Sequence, residues 1–241
     1  MKIFVINLKR SVERRKTISK QLQNEDVSFE FFDAVDGSKD IEHTWHYNDR
    51  KRRLLRGRPL SLGEVACFAS HYQLWEKCIE LNEPIVILED DAVPLPNLKD
   101  TLNLTAQHLK KYGCLRLFGH RGGKHRTIET LAGNYRIDFS RKGTLGAVAY
   151  ALTPNAAQKF LIHGEEWIFG SDVYMNLSYQ HGIGCFLLKP YPFSHAGEDT
   201  TLTCRKKPKK KLVNKIIKEL HVGYIRIRSF LFDLSVRRRF S

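Results

Sequence analysis

The chain opens on a compact apolar run, Ile3 to Leu8 broken only by Asn7, which is the pattern of a buried strand. In the arginine-rich stretch from Arg10 to Asn24, Val12, Ile18 and Leu22 leave the thin apolar stripe of a surface helix. Phe29 to Phe32 reads as a second strand, ending in Asp33-Ala34-Val35-Asp36-Gly37. Residues 38–58 are charged and without period, and predict an exposed, irregular excursion. Val65, Phe68, Tyr72, Trp75 and Ile79 then recur at three- and four-residue steps, the apolar face of a helix. Ser61 and Glu64 mark its start at capping-box spacing, where hydroxyl and carboxylate close free N–H groups of the first turn. Asn82-Glu83-Pro84 stops it, and Ile85-Val86-Ile87-Leu88 is apolar throughout, as suits a strand covered on both faces.

Further along, Cys114 to Phe118 and Ala147 to Leu152 read as strands. Thr153 places a capping hydroxyl before Pro154 and opens a helix through His163. A short helix over Asp172 to Tyr179 and a strand over Cys185 to Leu188 complete the pattern. This alternation predicts an α/β fold with one mostly parallel sheet, and 241 residues suit a single core. No run approaches the ~18 apolar residues of a membrane span. Met1 to Asn7 lacks the long apolar stretch and cleavage site of a secretory leader, so a cytoplasmic location is expected.

Charge divides the chain. Of 40 Lys and Arg, 13 lie from Arg205 onward against only Glu219 and Asp233, so most of the net +14 sits there. The expectation is a nearly neutral domain over 1–204 and a basic tail over 205–241. In that tail, Leu212, Ile216 and Leu220 recur at helical spacing among lysines, and Tyr224 to Leu234 is rich in aromatic and aliphatic residues. A basic amphipathic segment of this kind suits an anionic membrane surface. The lysine cluster Arg205 to Lys211 would also suit nucleic acid, but the interleaved apolar residues favour the membrane, and no nucleic acid partner is expected. The five cysteines (Cys67, Cys78, Cys114, Cys185, Cys204) are odd in number and form no C-x-x-C pair, which predicts reduced thiols.

The sharpest chemical signal is Glu89-Asp90-Asp91, leaving the carboxyl end of the wholly apolar strand, where open α/β sheets bind ligands. In strand geometry Glu89 and Asp91 point one way and Asp90 the other. Adjacent carboxylates repel, and oxygen donors suit Mn²⁺ or Mg²⁺ with substrate phosphates completing the shell. The alternative is an acidic turn capping the next helix.

These residues also carry a resemblance. Leu60-Ser61-x-Gly63-Glu64-x-x-Cys67-x-x-Ser70-His71-x-x-x-Trp75 followed by Ile87-Leu88-Glu89-Asp90-Asp91 resembles the signature of glycosyltransferase family 25. So do Val5-Ile6-Asn7-Leu8-x-Arg10-x-x-x-Arg14-Arg15, Phe32 to Gly37, and Gly143-Thr144-x-Gly146-x-x-x-Tyr150-x-Leu152-x-Pro154. The family includes lipooligosaccharide β-galactosyltransferases and collagen galactosyltransferases. The resemblance implies a GT-A-like enzyme with a Rossmann-like sheet, using a UDP-sugar donor and Mn²⁺ (or Mg²⁺), and transferring a hexose with inversion. Galactose is the implied sugar, with glucose the alternative. A saccharide acceptor carried on a lipid would place the enzyme peripherally on the cytoplasmic face of a bacterial inner membrane.

Residue by residue, the resemblance implies Glu89 and Asp91 as metal ligands, with His195 completing the shell or serving only as a loop residue. Asp90 would contact ribose or sugar in the reaction centre. Asn7, Leu8, Asp33, Ala34 and Asp36 would lie along the nucleoside. Arg10 and Arg14 would neutralise phosphate or form a solvated helix face. Ser70 and His71 are assigned to the donor site, with a structural role as the alternative for His71. Gly143 and Gly146 would let the backbone approach the sugar. Asp172 would act as general base or simply as a helix N-cap. Trp167 and Phe169 would stack on the acceptor or pack in the core.

Overall fold

A computed structural model describes residues 1–40, 44, 46–120, 123–197 and 212–240. In chain order the elements are β1 (Lys2–Asn7), α1 (Val12–Asn24), β2 (Glu30–Asp33), α2 (Asp49–Arg56), α3 (Leu62–Leu81), β3 (Ile85–Glu89), β4 (Ala92–Pro94), α4 (Leu98–Tyr112) and β5 (Cys114–Arg116). They continue with β6 (His125–Thr130), β7 (Arg136–Ser140), β8 (Ala149–Leu152), α5 (Pro154–His163), α6 (Ser171–Met175), α7 (Ser178–His181), β9 (Phe186–Lys189), β10 (Phe193–His195) and α8 (Leu212–Arg239).

Eight strands form one sheet in the order β2-β1-β3-β8-β5-β9-β7-β6. Only β8 and β7 oppose the direction shared by the rest, which gives the mostly parallel mixed sheet expected of the α/β pattern. Strand alternation sends Phe4, Ile6, Ile85, Ile87 and Tyr150 to one layer, under α3 and α5. Ile3, Val5, Val86, Leu88 and Ala149 go to the other, under α1 and α4. Burial on both faces explains why the central strands read as unbroken apolar runs.

Two local expectations are corrected. Residues 38–58 are not irregular throughout, because α2 forms there, capped by Asn48 and closed at a left-handed Gly57. It lacks an apolar stripe because Arg52 anchors it instead, a buried guanidinium donating to Ile168 O at 3.0 Å and Arg58 O at 3.1 Å. The helix expected over Asp172 to Tyr179 is two short ones, α6 and α7, parted where the Asn176 side chain turns to the Thr144 backbone. The helix α4, the hairpin β6–β7 and the ribbon β4–β10 have no counterpart in the sequence reading. Among the described cysteines, Cys67, Cys78, Cys114 and Cys185 are free; Cys204 and the Arg205 to Lys211 cluster lie outside the described residues.

The C-terminal segment is a 28-residue helix from Leu212 on, packed along one face against α2 and α7. Ile225 joins the first core layer, while Val236, Phe232 and Phe240 join the second. No described helix is long and apolar enough to cross a membrane.

Candidate active site

Parallel register brings the carboxyl ends of β1, β2 and β3 together, aligning Asn7 with Asp33 and Ile6 with Glu89. The triplet leaves this edge with its three carboxylates held by three different elements. Asp90 turns toward β1 and α1, accepting from Asn7 Nδ2 at 2.7 Å and from Arg14 Nη1 at 3.2 Å. Asp91 turns toward the late chain. The antiparallel ribbon pairs Ala92 with His195, Ala196 N donates to Asp91 O at 3.1 Å, and His195 Nε2 lies 3.1 Å from Asp91 Oδ2. Glu89 turns toward α3, with Oε1 3.1 Å from His71 Nε2.

Burial, then the charge of Glu89, pushes the Asp91 carboxyl up to about 6, against the pull of His195 and Arg14. Its Oδ1 is buried and has no hydrogen-bond partner among the described residues. A buried carboxylate oxygen left unpaired is costly, and a bound cation would offset that cost. Glu89, Asp91 and His195 offer the oxygen and imidazole donors that suit Mn²⁺, or Mg²⁺ with the oxygens alone, so the residues fit the metal. Gly197 N donates to His195 Nδ1 at 3.0 Å, so Nε2 carries the proton aimed at Asp91. Ligation by His195 would exchange that proton for the ion and release Gly197.

On the α3 side, orientation is set by a relay. Trp75 Nε1 donates to the Tyr150 hydroxyl at 2.9 Å, and that hydroxyl lies 2.9 Å from His71 Nδ1. With the tyrosine proton on Nδ1, the imidazole gives its Nε2 proton to Glu89. All three rings are fully buried. His71 is thereby fixed against the Glu89 carboxylate. The sequence reading gave Tyr150 no role; its signal was a tyrosine in an otherwise aliphatic strand. The Cys67 thiol shares this corner, within 4.8 Å of the ligand atoms of His71 and Glu89. Burial foremost, then the charges of Glu89, Asp172 and Asp91, push that thiol well up, so it stays protonated and neutral.

Ser70, adjacent to His71, is buried and does not face open space; its hydroxyl accepts from Val35 N at 2.9 Å and donates to Ala66 O at 2.9 Å. It fixes the loop after β2, whose Ala34 N donates to Asn7 O at 3.0 Å. On that loop Asp36 pairs with Arg10 and accepts from Ser38 N at 3.0 Å, while Asp33 meets Lys9 at 3.1 Å. Leu8 is half-buried beside them. Arg14 pairs with Asp90, and the exposed Arg10 with Asp36.

Opposite the triplet, Gly170 rather than Asp172 is the N-cap of α6, which sets aside the cap alternative. Asp172 Oδ2 accepts from Gly146 N at 3.1 Å, and its charge reaches Cys67 together with those of Glu89 and Asp91. Gly146 sits at φ +83°, and Gly143 at φ +74°, where a Cβ would lie 2.1 Å from Asn176. The close approach at Gly143 is therefore to Asn176, not to open space for a sugar. Beneath this loop lies Arg116, a buried guanidinium donating to Gly146 O at 3.3 Å and Asp172 O at 3.4 Å. Nothing in the sequence set it apart from surface arginines.

Of the two readings for Trp167 and Phe169, the packing is that of core residues. Trp167 is 2% exposed, covered by Phe68 at 4.6 Å and His46 at 5.0 Å, and its indole donates to Gly164 O. Phe169 is likewise buried, with His221 of α8 parallel to it at 6.2 Å. Their edges belong to the floor of a pocket of about 620 Å³ between α2, the 164–169 loop and α8, rimmed by Lys51, Glu166, Tyr224 and Arg228.

Comparison with known proteins bears on the whole arrangement. A "Glycosyltransferase 25 family member" of Anopheles gambiae is 39% identical over 97 residues, 37% of this chain and 16% of that one. The lipooligosaccharide biosynthesis protein lic2B of Haemophilus influenzae is 41% identical over 91 residues, 37% of this chain and 33% of that one. Procollagen galactosyltransferase 2 of Homo sapiens is 34% identical over 100 residues, 37% of this chain and 15% of that one. The aligned parts thus span no more than a third of these relatives' own length. The profile described as glycosyltransferase family 25 (LPS biosynthesis protein) matches residues 1–175, which takes in Asn7, the Ser70–His71 pair, the triplet, the glycine loop and Asp172. With that match over most of its length, the chain belongs to glycosyltransferase family 25.

Proposed function

We propose that this family 25 glycosyltransferase moves a hexose, galactose from UDP-galactose, with inversion onto a saccharide of a lipid-borne lipooligosaccharide. The observation that carries the proposal is the orphaned, buried Asp91 Oδ1 beside Glu89 and His195, on the sheet edge shared with Asn7 and Asp33. The names of relatives in lipooligosaccharide biosynthesis and collagen galactosylation support the choice of sugar and acceptor. Glu89, Asp91 and His195 would hold Mn²⁺ (or Mg²⁺). That ion supplies positive charge for the diphosphate of the donor as it leaves.

The remaining work falls to the chain. Asp33, Asp36 and the Leu8 to Arg10 turn face the nucleoside, with Ser70 holding the Asp36 loop in place through Val35 N. Arg14 lies by the phosphates and, with Asn7, orients Asp90 toward ribose or sugar. Asp172 takes the proton of the attacking hydroxyl. Its Oδ2 bond to Gly146 N places that carboxylate and the 143–146 turn as one unit.

The test is thermal stability with UDP, UDP-galactose, UDP-glucose or ADP, each with and without Mn²⁺, followed by product analysis. A rise specific to uridine nucleotides, dependent on Mn²⁺ and absent in Asp91→Ala, is expected; a ligand at one hundred times its Kd adds about 2.7 kcal/mol. No response to any uridine nucleotide sinks the proposal. A response to UDP-glucose with turnover of that donor alone would replace galactose by glucose.

A further inference from the structure

Helix α8 is amphipathic twice over. At about 100° per residue, its inward positions His221, Ile225, Phe232, Val236 and Phe240 share one face and pack on the body. The opposite face is also apolar. Ile216, Leu220, Ile227, Phe230, Leu231 and Leu234 fall within an arc of about 120° and point to solvent. Leu220, Ile227 and Leu231 are 70%, 63% and 55% exposed, a degree of exposure unusual for consecutive turns of a packed helix. Cations border this stripe on both sides, Lys215 and Arg226 along one edge and Arg228 and Arg239 along the other, and Arg238 closes its C-terminal end. Among the described residues of α8, Glu219 is the one acid near it, since Asp233 is buried and paired with Arg237 at 3.1 Å.

We propose that the solvent-facing stripe of α8 is a membrane-docking surface, which seats the helix flat in the headgroup layer of an anionic phospholipid bilayer. Apolar side chains between two rows of cations match a surface with acyl chains below and anionic phosphates beside them. A second copy of this chain is the weaker match, because self-pairing would set five cations against their own equivalents with one acid per helix to offset them. Tyr224 and Arg228 stand at the edge of the stripe and also rim the pocket above Trp167 and Phe169. Docking through α8 therefore brings that pocket to the bilayer, where a lipid-carried saccharide would meet it. The docking itself stands on α8 alone and does not require the glycosyltransferase reading.

Co-sedimentation of the full chain with vesicles of phosphatidylcholine alone, or mixed with phosphatidylglycerol, tests this. Binding to the anionic vesicles that weakens with salt is expected. The triple variant Leu220→Glu, Ile227→Glu, Leu231→Glu should lose at least about tenfold in partitioning, because each change removes apolar area and adds repulsion. Circular dichroism and the thermal response to UDP with Mn²⁺ should stay as in the parent, since all three side chains point away from the body. Lys215→Gln with Arg226→Gln should give a smaller loss and a shallower salt dependence. The proposal is overturned if the parent ignores anionic vesicles, if the triple variant binds as well as the parent, or if the stripe instead holds a dimer that the triple variant dissolves in sedimentation velocity.

Discussion

Asn7 Nδ2 lies 2.7 Å from Asp90 Oδ2, joining the last residue of the first strand to the middle of the acidic triplet across 83 positions. Asn7 is itself 1% exposed, so this bond fixes Asp90 from a site that water does not reach. The two neighbours of Asp90 are thereby left to face elsewhere, Glu89 to His71 and Asp91 to His195.

Removing that donor should separate Asp90 from its neighbours in function. Asn7→Ala should lower unfolding free energy by about 1–3 kcal/mol, the cost of a buried acceptor losing a partner. The Mn²⁺-dependent response to UDP should weaken in parallel. Asn7→Asp should be worse in both respects, because a second carboxylate would face Asp90 at hydrogen-bond distance. Urea unfolding and UDP titration of the two variants decide it, and equal behaviour of Ala and Asp would show that charge at this point does not matter.

Tyr150→Phe keeps the ring and deletes the hydroxyl that serves both Trp75 and His71. Two buried groups then lose a partner, and a loss of about 2 kcal/mol or more is expected. His71 should also become free to change tautomer, which nitrogen-15 chemical shifts of the imidazole would report. An unchanged Nε2-protonated ring would mean that Glu89 alone fixes the histidine.

Gly143→Ala should destabilise more than a surface glycine change. The backbone lies at φ +74° and the new methyl would meet Asn176 at 2.1 Å. Gly182→Ala, also at positive φ (+75°) but with nothing within 4 Å, is the control for backbone strain alone. The difference between the two melting temperatures measures the Asn176 contact, and no difference would show that Asn176 moves aside freely.

Acid should weaken the fold through His181. Burial holds its imidazole neutral, pulling it down from 6.5 to about 3, and Ile183 N donates to its Nδ1 at 3.1 Å. A folded value below the unfolded one means the contribution is present above 6.5 and is lost as pH falls toward 3. The slope from this group is about 1.4 kcal/mol per pH unit. In His181→Gln that part of the slope should vanish between pH 6 and pH 4. A parent and variant with parallel stability curves across that range would exclude His181 as the acid-sensitive group.

How much of this was legible in sequence depended on whether burial or a partner was responsible. The strands β1 and β3, the capping box of α3 and the triplet are written in local periods and short spacings, and they stand where the sequence reading put them. The ribbon β4–β10 is not, because two three-residue strands 101 positions apart make no pattern of their own. Its consequence, His195 against Asp91, could be reached only by resemblance. Arg52 and Arg116 escaped notice for a related reason: a buried arginine satisfied by carbonyls looks, in a sequence, like any exposed one. Trp167 and Phe169 stayed open between two readings, since an aromatic in such a segment reads the same whether its face is open or covered.

The ribbon also bears on when the site comes into being. Asn7, Arg14, His71 and the triplet are all within the first 91 residues, and β1, β3 and α3 can bring them together early in synthesis. The β8 strand, which carries Tyr150, and the β10 strand, which carries His195, leave the ribosome later, with α5 to α7 and β9 between them. Until they arrive, Asp91 has no imidazole opposite it and His71 lacks the hydroxyl at its Nδ1. A nascent chain would therefore carry its acidic cluster before the groups that complete it, gaining the Tyr150 hydroxyl first and the His195 imidazole only afterwards.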